Sequence, residues 1–200
     1  MRTIRVMGAA GLAAALAVTA AAAQQTQRVR GVIEKVDGGT LVIKASTGEV
    51  TLTLVDDALV VGVVKASLAD IKEGAYIGSG ALPQPDGTQK AVEVHIFAES
   101  QRGTGDGHRA NWDGAPGGTM TNGAVGQSVT GVDGPVVTVK YKDGEKKVVV
   151  GPGVPIVRYE IGTRSELTPG AAVNVNAATK KPDGTFTAAR INVGRDGLVP

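Results

Sequence analysis

The sequence has 200 residues, no cysteine and only 3% aromatic residues, with 21 Lys and Arg against 19 Asp and Glu. The lack of cysteine excludes disulfide bonds, and the few aromatic residues predict cores built from Val, Ile, Leu and Ala. Arg2 and Arg5 lie in a segment that we expect to be removed, which leaves 19 basic and 19 acidic residues in the remaining chain. A neutral chain has no general electrostatic attraction to nucleic acid or to anionic lipid.

Residues 1–23 have the layout of a secretory signal peptide. A basic start (residues 1–5) precedes an apolar stretch (residues 6–20) and three small residues, Ala21, Ala22 and Ala23. We expect cleavage before Gln24, a periplasmic or secreted location, and no membrane span after cleavage. The alternative is an uncleaved anchor, because the uncharged stretch of 18 residues is just long enough to span a bilayer.

The rest of the chain repeats itself. Asp37-Gly38 returns as Asp133-Gly134, 96 positions later, and neighbouring segments return in the same order at the same spacing. The matched segments are 33–38 with 129–134, 41–44 with 137–140, 48–49 with 144–145, and 67–75 with 163–171. A Pro-Asp-Gly-Thr turn at 85–88 returns at 182–185, one insertion later. Such order and constant spacing indicate an internal duplication.

Short β-branched runs predict strands in each copy. The predicted strands are 29–33, 41–43, 52–54, 75–81 and 90–97 in the first copy, and 171–177 and 187–193 near the end of the second. Asp-Gly and Thr-Gly pairs punctuate them as tight turns. Ser67 with Asp70, and Thr163 with Glu166, have capping-box spacing and predict one short helical turn in each copy.

Three strands, a short helix and two strands are the order of an OB-fold, a five-stranded and partly open barrel. The fold class predicted is therefore all-β: two tandem small OB-like barrels joined by a Gly-rich linker. The predicted boundaries are a signal peptide at 1–23, a first domain at 24–97, a linker at 98–123 and a second domain at 124–200. Another small barrel has the same element order, so that alternative stays open.

The run at 29–44, followed by Gly48 and the alternating residues 51–54, resembles the exported domain-of-unknown-function family 5666. The resemblance covers both copies and rests on the hairpin pattern. It implies an OB-like fold and a location in the cell envelope. It implies no established activity and no catalytic residues.

The predicted linker has an unusual composition. It holds seven glycines, the only tryptophan and one of the two histidines. Loops of this length are usually either disordered or functional, and the composition favours disorder. The functional alternative is that Arg102, His108, Arg109 and Trp112 bind an anion or an aromatic ligand. In a third interpretation, Trp112 and Met120 simply pack into the groove between the barrels.

A metal site is a second hypothesis. On the last strand of the first copy, Val94 and its alternate neighbours should face inward, so Glu93 and His95 should share the outward face. Together with Asp106 and His108 they would offer the imidazole and carboxylate ligands that zinc and copper accept. The second copy has Arg190 and Asn192 in place of Glu93 and His95, so the site would belong to the first copy alone.

No nucleophile motif accompanies either histidine, so the sequence predicts a non-enzymatic protein without a cofactor. We expect a binding or structural protein of the cell envelope, whose partner is an envelope protein or a small ligand and not nucleic acid. The alternative function is metal binding or metal delivery in the periplasm.

Overall fold

The structure is a computed structural model that describes residues 26–129, 131 and 134–200. The predicted signal peptide lies outside these residues. The described chain is all-β, as the sequence predicts, and none of its helices is long and apolar enough to cross a membrane. The strands are β1 (Thr26–Asp37), β2 (Thr40–Ala45), β3 (Gly48–Lys65), β4 (Tyr76–Pro83), β5 (Gln89–Ile96), β6 (Gly107–Trp112), β7 (Gly118–Val129), β8 (Val136–Tyr141), β9 (Gly144–Val149), β10 (Ile156–Ile161), β11 (Ala172–Lys180) and β12 (Phe186–Gly194). Three short 3₁₀ helices span Leu68–Asp70, Glu99–Gln101 and Arg164–Glu166.

Local motifs form as their sequences predict. The helical turns after β3 and β10 each begin with a capping box, at Ser67 and at Thr163. In both Pro-Asp-Gly-Thr turns the aspartate Oδ1 accepts the backbone N–H two residues later, at 2.9 Å from Thr88 and 2.9 Å from Thr185. The two copies therefore share their turn chemistry as well as their sequence pattern.

Five strands close into a barrel, which we call the first ring: β1, β2, β3, β11 and β12. Its closure is the parallel pairing of β12 with β3. Strands β4, β5, β7, β8 and β9 form a second ring, whose closing pairs are Gln89 with Val148 and Lys90 with Val149. Each ring encloses its own aliphatic cluster, which includes Leu52 and Ile191 in the first and Ile77 and Val94 in the second.

Strand partners differ from the predicted tandem arrangement, in which each copy closes its own barrel. The first ring takes β1–β3 from the first copy and β11–β12 from the second, whereas the second ring takes β4–β5 from the first copy and β7–β9 from the second. The physical reason is the length of β3. Its 18 residues extend over about 60 Å, so the chain leaves the first ring before β4 begins.

The last five residues of β3, 61–65, pair with β10, and this pairing is symmetric. Val63 lies opposite Tyr159, its own counterpart 96 positions later, and Val61 lies opposite Ile161 just as Lys65 lies opposite Val157. The two copies are thus related by a pseudo-twofold axis at the Val63–Tyr159 pair. The molecule has the topology of a strand-exchanged dimer joined into one chain.

The segment between the copies is ordered, contrary to the disorder that its composition favours. It holds the short helix Glu99–Gln101, strand β6 and the start of β7. Strand β6 pairs with β7, and β7 pairs in turn with β4. Glycine supplies the turns of this segment, because Gly103, Gly105 and Gly117 all have positive φ.

Candidate functional site

A cleft of about 410 Å³ lies where the outer faces of the two rings meet, beside the β3–β10 pairing. Strands β1, β11 and β12 provide one wall, β5 and β7 the other, and the segment 104–113 covers it. Because Val29, Val175, Ile191 and Val94 point into the ring cores, their alternate neighbours face the cleft. The polar and aromatic lining residues include Arg28, Arg30, Glu93, His95, Phe97, Arg109, Trp112, Asp113, Asn122, Tyr159, Asn174, Asn176 and Arg190.

Four arginines and two carboxyl groups give the lining an excess of positive charge. Arg28 is neutralised in part by Asp113, at 2.8 Å. Arg109 donates to the carbonyl of Gly105 at 2.9 Å. Arg30 has no side-chain partner among the described residues, so its guanidinium is available to an anion.

Arg190 is held in a fixed orientation. Its Nε donates to Asn192 Oδ1 at 3.2 Å, and its guanidinium lies over the Tyr159 ring, 5.4 Å from the ring centroid. Partial burial lowers the pKa of Arg190 from its usual value, but a guanidinium keeps its proton at any physiological pH. The wall therefore presents a preoriented cation.

Two buried asparagine side chains of the cleft have a hydrogen-bond partner for their amide nitrogen but none for their amide oxygen. Asn122 is 5% exposed and Asn174 is 6% exposed. Asn122 Nδ2 donates to the carbonyl of Thr104 at 3.0 Å, and Asn174 Nδ2 donates to Asn176 Oδ1 at 3.1 Å. The Oδ1 atom of each has no hydrogen-bond partner within the described chain, and neither does Arg28 Nε. The other such atoms found are both in the buried side chain of Gln101, outside the lining of the cleft.

An aromatic cluster forms the floor. The His95 ring stacks on Tyr159 at 5.0 Å between centroids and 16° between planes, and Phe97 packs edge-on against both rings. Tyr76 extends the cluster at 5.4 Å from Phe97. Burial raises the pKa of Tyr159 to about 12, so the phenol stays protonated.

Glu93 and His95 share the outward face of β5, as predicted, but His95 is buried, because the rings of Tyr159 and Phe97 pack against it. Burial lowers the pKa of His95 to about 4, with a smaller contribution from Arg190. Glu93 Oε1 lies 3.8 Å from His95 Nδ1, which is too far for a hydrogen bond, so burial outweighs this attraction. Burial also raises the pKa of Glu93. Neutral imidazole is thus the form present near pH 7.

Two glycines of β4 make room for the site. A Cβ atom at Gly78 would overlap His95 Nε2 and Asn122 Oδ1, and one at Gly80 would overlap the Trp112 ring. The indole therefore rests directly on the β4 backbone. Any larger residue at these positions would displace the walls of the cleft.

Polar contacts hold the segment 104–113, which covers the cleft, and the preceding Arg102 against the second ring. The Tyr76 hydroxyl lies 3.3 Å from Asp106 Oδ2, and Asp106 Oδ1 accepts the backbone N–H of Lys142 at 2.8 Å. Arg102 donates to the carbonyl of Gly74 at 2.8 Å and pairs with Glu99. Burial, followed by the charge of Asp106, raises the pKa of Tyr76 to about 12, which keeps its hydroxyl protonated.

The predicted site residues divide into two groups. Arg109, Trp112, Glu93 and His95 line the cleft, whereas three others do not. Arg102 and Asp106 make the anchoring contacts just described. His108 points to the opposite side of β6, where its Nδ1 lies 2.8 Å from Thr121 Oγ1 and its ring stacks on Tyr141 at 6.4 Å. Burial lowers the pKa of His108 as well.

The four predicted metal ligands therefore do not converge. Glu93 and His95 face the cleft, whereas Asp106 binds the backbone of Lys142 and His108 points to the other side of β6. Within the described residues no group of three or more His, Cys, Asp or Glu is placed to hold a metal ion. Sequence reasoning missed Arg28, Arg30, Asn122, Asn174 and Arg190. A signal for two of them existed: Asn174 and Arg190 occupy positions where the first copy has Gly78 and Glu93.

The fold and the site define an all-β protein with a closed five-stranded barrel, further strands and an arginine-lined cleft. Comparison of the chain with protein-family models, with curated proteins and with solved structures found no match. The resemblance to family 5666 accordingly stays a prediction.

Proposed function

We propose that the protein is an exported, non-enzymatic binding protein of the cell envelope that holds a small anionic ligand in the cleft. The observation that carries the proposal is the pair of buried amide oxygens, on Asn122 and Asn174, left without a partner in an arginine-lined cavity. A buried acceptor without a partner is destabilising, by about 1–3 kcal/mol. In native proteins such a group is usually satisfied by an ordered water, an ion or a bound ligand.

Charge supports an anion as the ligand. The four arginines exceed the two carboxyl groups of the cleft, and one of those carboxyls belongs to Glu93, whose pKa is raised by burial. Guanidinium groups recognise carboxylate and phosphate through paired N–H donors. Export is proposed on the pattern of residues 1–23, and a binding role rather than catalysis on the lack of a nucleophile–base pair among the cleft residues described.

Thermal unfolding with a panel of anions tests this proposal. Sulfate, phosphate, glutarate and citrate would each be added at 10 mM, with the ionic strength held constant by sodium chloride. An anion present at ten times its Kd stabilises the folded state by about 1.4 kcal/mol, which raises the Tm of a chain of this size by roughly 3–6 °C. We expect such a shift for at least one anion.

Two variants locate the effect. The double variant Arg30→Ala, Arg190→Ala should lose the shift, because it removes the unpaired cation and the preoriented one. Arg158→Ala is the matched control: Arg158 lies on β10 and pairs with Asp70 and Glu160, away from the cleft. Absence of any shift in the wild type, or an equal shift in the double variant, would refute the cleft as an anion site.

A further inference from the structure

We propose that the ligand of the cleft is an acidic sugar: one ring that carries several hydroxyl groups and a single carboxylate or phosphate. This inference rests on the proposed function and narrows its ligand. The lining offers two kinds of unused hydrogen-bonding group: guanidinium N–H donors that no side chain of the described residues accepts, and amide oxygens to which no described group donates. An acidic sugar can bind both kinds with one molecule.

The cations define where the acidic group binds. Arg28 and Arg109 already use part of their donors on Asp113 and on the Gly105 carbonyl. Arg30 is unpaired, and Arg190 uses only its Nε, which leaves both of its terminal nitrogens without a side-chain partner in the described structure. The wall formed by β1 and β12 therefore receives the anion, because its guanidinium groups hold the donors still available.

The amides define the rest of the ligand. Asn122 Oδ1 on β7 and Asn174 Oδ1 on β11 are acceptors on opposite walls, and each needs a donor. Sulfate, phosphate in its fully ionised form and simple carboxylates bring acceptors alone. Hydroxyl groups bring a donor and an acceptor together, so a polyol ring placed between the walls can satisfy both oxygens at once.

The size of the cavity and its apolar surface agree with a ligand of one sugar ring. The cavity of about 410 Å³ lies near the lower end of the roughly 300–1,000 Å³ typical of small-molecule sites. Met120 and the edge of Trp112, whose ring packs against Gly80 and Gly114, add an apolar surface for the C–H groups of a sugar. The faces of Tyr159 are already occupied by His95 and Arg190, so the site has less room for a stacked base.

Isothermal titration of the full mature chain tests the inference with four named probes: D-glucuronate, acetate, D-glucose and D-glucose 6-phosphate. Acetate keeps the carboxylate without the hydroxyl groups, and D-glucose keeps the hydroxyl groups without the charge. We expect D-glucuronate or D-glucose 6-phosphate to bind at least tenfold more tightly than both. The tighter of these two identifies the acidic group as carboxylate or phosphate.

Amide variants connect the preference to the structure. Asn122→Ala and Asn174→Ala should each reduce the advantage of the acidic sugar over acetate by about threefold to tenfold while leaving acetate affinity unchanged. Gln84→Ala, at an amide outside the cleft that donates to the Leu82 carbonyl, is the matched control and should change neither affinity. The comparison of probes uses the wild type alone, so it holds even where a variant folds poorly.

Each outcome decides between the two proposals. If acetate, or the anions of the thermal panel, bind as tightly as the acidic sugars, the sugar inference fails and the anion site stands. If D-glucose binds as tightly as D-glucuronate, the requirement for an acidic group is wrong. If the thermal panel shows a shift but neither acidic sugar binds, only the sugar inference fails. If the thermal panel shows no shift, the anion site fails and the sugar inference fails with it.

Discussion

The interiors of the two rings and the cleft between them have diverged to different extents. Most core positions of the first ring have an aliphatic counterpart in the second; the exceptions include Val175 and Phe186, whose counterparts are the buried polar residues Ser79 and Gln89. The matched core pairs are Val29 with Val125, Leu41 with Val137, Ile43 with Val139, Leu52 with Val148, Val60 with Ile156, Val173 with Ile77, Ile191 with Val94, and Val193 with Ile96.

The positions that face the cleft have no such agreement. Their pairs are Arg28 with Ala124, Arg30 with Gly126, Val63 with Tyr159, Gly78 with Asn174, Gly80 with Asn176, Glu93 with Arg190, and His95 with Asn192. A core position tolerates only a residue of similar shape and polarity, whereas an outward position is free to change. Because the outward positions of the two copies have diverged, the symmetric contact between the rings has become a cleft with two chemically different walls.

The largest effect should follow from a core substitution that tests strand exchange. Ile191→Ala in the first ring should lower the free energy of unfolding by roughly 2–5 kcal/mol, and its counterpart Val94→Ala in the second ring by less, since fewer methyl groups are removed. Because each ring contains strands from both copies, the rings should unfold together.

Trp112 reports on this cooperativity because β6 pairs with β7 of the second ring. In urea, its fluorescence and the far-ultraviolet circular dichroism of Ile191→Ala should change at one midpoint, shifted from that of the wild type. A tryptophan transition that stays at the wild-type midpoint would show that the rings are independent, as in the tandem arrangement.

The second effect depends on pH and on His95, which the second copy replaces with Asn192. The folded-state pKa of His95 is about 4 and its ordinary value is 6.5, so between these pH values the unfolded chain binds more protons. Stability should therefore rise with pH through this window, and acidification from pH 7 to pH 4 should cost about 2–3 kcal/mol.

His95→Asn is the matched variant and should lose this part of the pH dependence. Glu93, whose pKa is raised, contributes the opposite slope in both proteins, so the difference between the two urea-unfolding series isolates the histidine. Parallel stability curves from pH 4 to pH 7 would contradict a neutral, buried imidazole.

The third comparison changes the side-chain size at two counterpart positions of the cleft, with a larger residue in place of Gly78 and a smaller one in place of Asn174. Gly78→Ala should lower the free energy of unfolding by about 1–3 kcal/mol, because the new Cβ would overlap His95 and Asn122. Asn174→Ala, at the counterpart position, should leave stability unchanged or raise it by up to about 1 kcal/mol, since it removes a buried acceptor without a partner. Urea titration measures both, and a destabilisation above 1 kcal/mol for Asn174→Ala would argue for a structural role.

The smallest effect belongs to the duplicated capping boxes. Ser67→Ala and Thr163→Ala should each reduce stability by about 0.5–1 kcal/mol, because each removes the hydroxyl of a capping box. The two values should agree within a few tenths of a kcal/mol. A large inequality in chemical denaturation would show that the two turns differ in their tertiary support.

Local chemistry made much of this protein predictable. The alternation of apolar residues predicts most strands, and Asp-Gly pairs, Pro-Asp-Gly-Thr segments and capping boxes predict the turns, because each depends on residues within a few positions of one another. For the same reason the sequence predicts that Glu93 and His95 share one face of β5 and that Arg109 and Trp112 are candidate ligand contacts.

Tertiary structure alone decided which strands pair and what the cleft contains. The two copies have nearly the same pattern of strands, so no local signal states whether β4 joins its own copy or the other. The unbroken length of β3 and its pairing with β10 decide that. Arg30, Asn122, Asn174 and Arg190 are far apart in sequence and meet only because the rings exchange strands and turn their diverged outer faces toward each other.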